Sequence, residues 1–88
     1  MDDERIVALY WSRSDAAITE TASKYGSYLN NISYNILVNR EDAQECVNDT
    51  YNDAWNSMPP HRPSILSTFL GKITRRISID HWRKLNAE

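Results

Sequence analysis

The sequence predicts an all-α domain, a small helical bundle of three main helices plus a short N-terminal helix. Three observations lead there. Apolar residues recur at three- and four-residue steps through most of the chain, the spacing of one helix face. No stretch shows the two-residue alternation of a half-buried strand. Only two glycines occur, and the three prolines all fall between residues 59 and 63, so the breakers are gathered in one place.

Residues 3–11 form the short helix, with Ile6, Val7, Tyr10 and Trp11 on adjoining faces. Ser12 or Ser14 is placed to cap the next helix, since a serine hydroxyl satisfies free amides of a first turn. Residues 15–38 form a long helix in which Ile18, Ala22, Tyr25, Leu29, Ile32 and Ile36 alternate four- and three-residue steps, the seam of helices packed at a shallow angle. Gly26 inside it costs about 1 kcal/mol relative to alanine, which a close helix crossing there would explain. Asn39 and Arg40 make a tight link, and Asn39 with Asp42 three residues on resembles a capping box. So short a connection makes the helices on either side antiparallel neighbours.

Residues 41–58 are the stretch around which the rest is organised. Ala43, Cys46, Val47, Tyr51, Ala54 and Met58 form one apolar stripe. Asp42, Glu45, Asn48, Asp49, Asn52 and Asp53 occupy the remaining surface, and no Lys or Arg lies among them. Pro59 and Pro60 then stop the helix, because proline lacks the amide donor and clashes with the preceding turn. Met58 to Ser64 reads as an exposed, semi-rigid loop. Ser64 is placed to cap a last helix, 65–86, with Leu66, Phe69, Leu70, Ile73 and Ile77 as its apolar face. Trp82 points roughly opposite to Ile73 and Ile77, so it either meets Tyr10 or Trp11 or lies exposed. Lys72, Arg75, Arg76 and Arg83 share a different side of this helix.

Eighty-eight residues make one small domain, 1–88. Cys46 is the only cysteine, so an internal disulfide and a cysteine-built metal cluster are excluded. Its place on the apolar stripe predicts a buried, inert thiol. No apolar run approaches the roughly 20 residues of a membrane span, and the acidic Met-Asp-Asp-Glu-Arg start lacks the basic opening of a signal peptide. A cytoplasmic location is expected. Charge is unevenly divided: residues 1–59 carry ten acids and four bases, residues 60–88 two acids and six bases. Such a division fits two partners of opposite character, a basic end that meets nucleic acid, or an uneven solvated surface.

The catalytic inventory is poor. His61 and His81 are far apart in the sequence, and no carboxylate pair flanks them at ligand spacing. There is no glycine-rich phosphate loop and no Ser/His/Asp signature. The carboxylates of 41–58 lack the inward Glu-x-x-His motif of di-metal bundles. The expectation is no enzyme, no catalytic residue, no cofactor and no metal.

Two motifs are specific. Asp42-Ala43-Gln44-Glu45-Cys46-Val47-Asn48-Asp49-Thr50-Tyr51-Asn52-Asp53-Ala54-Trp55 resembles the D-A-E-[DE]-x-V-[QN]-[DE]-[TV]-[FY]-x-x-[AV]-W signature of extracytoplasmic-function sigma factors. Phe69 to Lys84 resembles that family's W/F-L-x-x-I-x-R-N-x-x-I-D-x-x-R-[RK] helix. Together they cover about half the chain, in the family's order and spacing. The resemblance implies region 2 of a sigma-70-type factor. This is an all-α module that binds the β′ clamp helices of RNA polymerase and recognises and melts the minus-ten promoter element. It implies that Gln44, Glu45, Asn48, Asp49 and Asn52 meet the polymerase core, a face suited to an Arg-rich partner. It implies that the loop from Asn56 to Ser64, with Asn56, His61 and Arg62, captures a flipped base of the non-template strand. Lys72, Arg75, Arg76 and Arg83 would then track the DNA backbone. An anti-sigma factor is a further partner the family allows.

Asn48 stands where glutamine is commoner, and Arg76 stands where asparagine is usual. Asp80 and Arg83 match the family and read as a local helix salt bridge worth a few tenths of a kcal/mol. Members of the family carry a second helical domain that reads the upstream promoter element, and an excised domain is the expectation for a chain of this length. The alternative reading of the residues is a helical protein-binding adaptor without DNA binding, its basic end only solubilising.

Overall fold

The computed structural model describes residues 1–87 and contains four helices: α1 (Asp3–Trp11), α2 (Ala16–Leu37), α3 (Arg40–Ser57) and α4 (Leu66–Leu85). Each main-helix boundary lies within one residue of the expected position. No strand occurs among the described residues, so the all-α expectation holds.

The helix starts are only partly as expected. Asn39 caps α3, its Oδ1 accepting from the Asp42 amide at 2.9 Å. Asp2 does the same for α1 through the Arg5 amide. The serines do not cap. Ser12 Oγ donates back to the Leu9 carbonyl and so finishes α1 instead of starting α2. Ser14 contributes only its carbonyl, to the Ala17 amide. The N-caps of α2 and α4 are Asp15 and Ile65, neither with a side-chain cap bond.

Contacts between helices give their directions. Gly26 lies against Tyr51, while Asn30 and Tyr34 share a cleft with Arg40 and Gln44, so the partners run in opposite order and α2 and α3 are antiparallel. The two-residue link of Val38 and Asn39 forces this, and Val38 makes the turn in the left-handed region (φ 52°). On α2 and α4, Tyr28 and Ile32 meet Gly71 while Ser33 meets Ser78, which makes that pair parallel. Helix α1 packs on α2.

The stripe of α3 is buried at every position expected, from Ala43 to Met58, and Thr50 joins it. The core gathers Ile6, Val7 and Tyr10 of α1, Ala17 and Leu29 of α2, and Leu66 and Leu70 of α4. Along α2 and α4 the buried line departs from the apolar one. On α2 the fully buried residues are Ala17, Thr21, Leu29 and Ser33, and Ile18, Ala22, Tyr25, Ile32 and Ile36 lie at its half-buried margins. On α4, Thr74 and Ser78 are fully buried while Ile77 is half-buried.

The reason is a set of hydroxyl pairs that the core satisfies internally. Thr50 donates to the Cys46 carbonyl (2.9 Å) and therefore accepts from Thr74 at 2.8 Å. Thr21 donates to the Ala17 carbonyl and accepts from Tyr10 at 2.7 Å. Ser78 donates to Ser33, also at 2.7 Å. Small hydroxyl residues let helices approach closely without leaving a buried donor unmade. The close crossing expected at Gly26 is elsewhere: a Cβ there would sit 3.5 Å from Tyr51 Oη, an ordinary contact, whereas at Gly71 it would come within 2.9 Å of Tyr28 Oη. Trp82 meets neither Tyr10 nor Trp11 and is 47 % exposed. No helix among the described residues is long and apolar enough to cross a membrane.

Candidate functional site

Helix α3 buries one side and presents the other to solvent. Gln44, Glu45, Asn48, Asp49 and Asn52 are all exposed on that other side. Gln44 Nε2 donates to Asn48 Oδ1 one turn on, at 3.0 Å, so the shorter Asn48 is held within reach of its neighbour. The face is thus an acceptor-rich strip of carboxylates and carboxamides backed by a fully packed stripe. Asp53 is not part of it. Its carboxylate is half-buried, accepts from Ser57 and holds Arg76 of α4 at 2.6 Å.

That pairing divides the cations of α4. Arg76 leans toward α3 and is neutralised there. Arg83 approaches Asp80 at 3.9 Å, the local salt bridge expected from the sequence, with both side chains well exposed. Such a pair contributes little. Lys72 and Arg75 have no ion-pair partner among the described residues and flank a shallow cleft shared with Tyr28, Ile32, Thr68 and Gly71. Trp82 is exposed further along the same helix.

The loop expected from Asn56 begins later, because Asn56 lies in the last turn of α3; Asn56, His61 and Arg62 are all exposed, yet the loop is held. The Trp11 indole Nε1 donates to the His61 carbonyl at 2.9 Å. The Arg62 guanidinium stacks on the Trp11 ring, 4.5 Å from its centroid. Arg13 donates to the Trp55 and Met58 carbonyls at 2.9 and 2.7 Å, and its guanidinium lies 3.8 Å over the Trp55 ring. The His61 ring packs beside Phe69, centroids 6.2 Å apart. Below the loop, a cavity of about 530 Å³ opens between Asp3, Glu4 and Val7 of α1 and Arg62, Pro63 and Ser64. Sequence reasoning missed the part played by Trp11 and Arg13. One signal was available: α3 has no basic residue in its last turn to meet its free carbonyls.

No carboxylate pair flanks His81 at ligand spacing in the sequence, but the fold brings two distant carboxylates to it. Ligand atoms of Asp42, Glu45 and His81 lie within 4.8 Å of one another, bringing the start of α3 to the end of α4. His81 Nε2 is shielded from solvent, makes no hydrogen bond, and lies 3.7 Å from Asp42 Oδ1. Two carboxylates and an imidazole are a donor set that suits a divalent cation such as zinc. With His81 protonated, the same groups attract one another directly.

Cys46 is buried, and its environment favours the thiol. Burial pushes its pKa up, opposed by hydrogen bonds with Ser78 and Ser33 and reinforced by the charges of Asp49 and Glu45. At the other end of the fold, Asp3 ties α1 to α2 by accepting from Lys24 (2.8 Å) and Tyr25 (2.8 and 2.7 Å). Burial alone would raise the Asp3 pKa, but these hydrogen bonds and the positive charges of Lys24 and the N-terminus outweigh it and hold the carboxyl low. Burial, with the Asp3 bond and charge, pushes the Tyr25 hydroxyl up to about 12.

The family model described as Sigma-70 region 2 matches residues 22–88. No curated protein and no solved structure matches the chain. The match takes in both motif helices, the loop between them and most of α2, leaving α1 and the α1–α2 turn outside it. With its all-helical bundle and its two motif helices packed together, the chain belongs to the Sigma-70 region 2 family, transcription initiation factors that bind RNA polymerase and have no catalytic activity of their own.

Proposed function

We propose that this chain is region 2 of an extracytoplasmic-function sigma factor, and that it joins the β′ clamp helices of RNA polymerase to the non-template strand of a melted minus-ten element. The observation that carries this reading is the exposed strip of Gln44, Glu45, Asn48, Asp49 and Asn52 on α3. Every apolar side chain of that helix's stripe is already used in the core, so the strip is available to a partner without unfolding. Its acceptors suit an arginine-rich helix pair, since guanidinium–carboxylate bonds are charge-assisted and bidentate. On the DNA side, Asn56, His61 and Arg62 border the loop where an unpaired base would be held, and Lys72 and Arg75 offer cations to phosphates.

Asp49→Arg tests the polymerase assignment. Asp49 is exposed, so reversal leaves the core alone. Placed against a basic partner, it lowers affinity for core polymerase by about tenfold or more, measured by calorimetry, with an unchanged melting temperature. Unchanged affinity overturns the assignment.

The pairing of Arg76 with Asp53 and of Arg83 with Asp80 favours the adaptor reading in one respect, because two of the five α4 cations have a carboxylate partner within the domain. A salt titration of single-stranded DNA binding separates the two. Affinity that falls as salt rises supports the promoter reading, and an affinity that is nil even at low salt with polymerase present supports the adaptor.

A further inference from the structure

We propose that Trp11, at the end of α1, and Arg13, in the α1–α2 turn, are positioning residues that hold the 58–64 loop in its base-reading shape. This rests on the promoter reading above. It assigns a task to a segment that lies outside the family match, which begins at residue 22.

Three tethers converge. Arg13 Nη1 reaches two carbonyls at the end of α3, those of Trp55 and Met58. A helix end leaves such carbonyls without intrahelical partners, and a cation there meets both the hydrogen-bonding need and the negative end of the helix. Helix α3 has no base of its own in that turn, so Arg13 supplies it from another segment. The Arg13 guanidinium carbon in turn lies 3.8 Å from the centroid of the Trp55 ring, within cation–π range. Trp11 then holds the middle of the loop by its bond to the His61 carbonyl, and its ring face carries Arg62. Two of the three residues assigned to base reading, His61 and Arg62, both in the loop, therefore depend on one indole.

The backbone supports a dedicated role. Arg13 adopts φ 58°, the left-handed region that a residue with a Cβ enters only when its surroundings over-determine it. The Arg13 and Ser14 amides bond to the Tyr10 and Leu9 carbonyls, which fixes the turn in that shape. The turn thus aims Trp11 and Arg13 at the loop from a rigid base, with Tyr10 buried immediately before them.

The test uses the full chain with Trp11→Phe, Arg13→Ala and Arg13→Lys. Trp11→Phe removes the indole donor and keeps an aromatic face for Arg62. Arg13→Lys keeps the charge and loses the planar fork. Two measurements are made on each. The first is amide hydrogen exchange across residues 57–65 in the free protein, which needs no polymerase or DNA. The second assembles each variant with core RNA polymerase and selects from promoter fragments randomised through the minus-ten segment.

Exchange is expected to speed up roughly two- to tenfold in the loop for Trp11→Phe, the equivalent of one neutral hydrogen bond. It should speed up more for Arg13→Ala, with Arg13→Lys between Arg13→Ala and the native chain. Base preference should flatten in the same order while affinity for core polymerase stays unchanged. A native chain that selects a sequence, with variants that select it equally and exchange equally, overturns the inference alone. A native chain that selects nothing overturns the promoter reading and the inference with it. Unchanged melting of Trp11→Phe and Arg13→Lys shows that any loss is local.

Discussion

Thr50 and Thr74 show what single residues decide here. Both are fully buried, and their hydroxyls satisfy each other between α3 and α4. Thr50→Val alone leaves the Thr74 hydroxyl without its partner and costs about 1–3 kcal/mol. The double change to valine removes donor and acceptor together and costs clearly less than the sum of the singles. Chemical denaturation of the four members of this cycle measures the coupling. An additive result means that the pair contributes nothing beyond packing. These hydroxyls also mark where sequence reading fell short. Apolar spacing located the α3 stripe without error, because every buried position but Thr50 is apolar. It missed Thr21, Ser33, Thr74 and Ser78, because a small hydroxyl residue reads as polar until its partner on another helix is known. The surroundings of His81 were hidden for the same reason: Asp42 and Glu45 are some forty residues earlier in the chain and come to it only through packing.

At the scale of elements, the exposed face of α3 was legible and the bracing of the loop was not. A helix face follows from local periodicity, whereas Trp11 and His61 are fifty positions apart. Asn39 was also legible, as a capping residue at a two-residue link. Asn39→Ala should lower stability by about 1 kcal/mol, read as a shift in the denaturation midpoint at constant slope. The tether of α1 has a pH signature with a definite sign. The Asp3 carboxyl titrates below its ordinary 3.8 in the folded chain, so its contribution is present at neutral pH and is lost as acid protonates it below that value. The Tyr25 hydroxyl moves the other way. Its contribution is full below the ordinary 10.0 and is lost between there and about 12, as the unfolded chain ionises first. Loosening of α1 in acid, followed by Trp11 fluorescence against pH in a chain carrying Trp55→Phe and Trp82→Phe, is expected to disappear in Asp3→Asn, while the alkaline limb shrinks but stays, because burial also raises Tyr25. A profile unchanged by that substitution rules the tether out as its cause.

For the whole molecule, charge is the quantity that sequence counting overstates. The C-terminal third is basic by composition, yet Arg76 and Arg83 are each paired with a carboxylate. Of the four other bases of residues 60–88, Lys84 aside, Arg62, Lys72 and Arg75 are the three assigned to phosphates on the proposed DNA side. If each meets one, the logarithmic salt slope for single-stranded DNA is about −2, measured by fluorescence anisotropy with polymerase present. Asp53→Asn frees Arg76 and should steepen it toward about −3. A slope that does not change with Asp53→Asn shows that Arg76 stays away from the DNA even when released. Apolar spacing predicted the fold class and helix spacing the Asp80–Arg83 pair, but the Arg76–Asp53 pair needed the two helices side by side.

The hydroxyl pairs carry one more consequence, about motion. Thr50 with Thr74 and Ser33 with Ser78 pin α4 to α3 and to α2 at two heights along its axis. Moving α4 along its neighbours by one turn, about 5.4 Å, would break both pairs at once and take from the buried Thr74 and Ser78 hydroxyls the acceptors they donate to. Helix sliding is therefore closed to this bundle as a way of carrying a signal. The strip on α3 and the cations on α4 stay a fixed distance apart, like two marks on one ruler. On the proposed reading, polymerase and DNA would have to adjust to that spacing, and the domain would set where the strand lies relative to the enzyme.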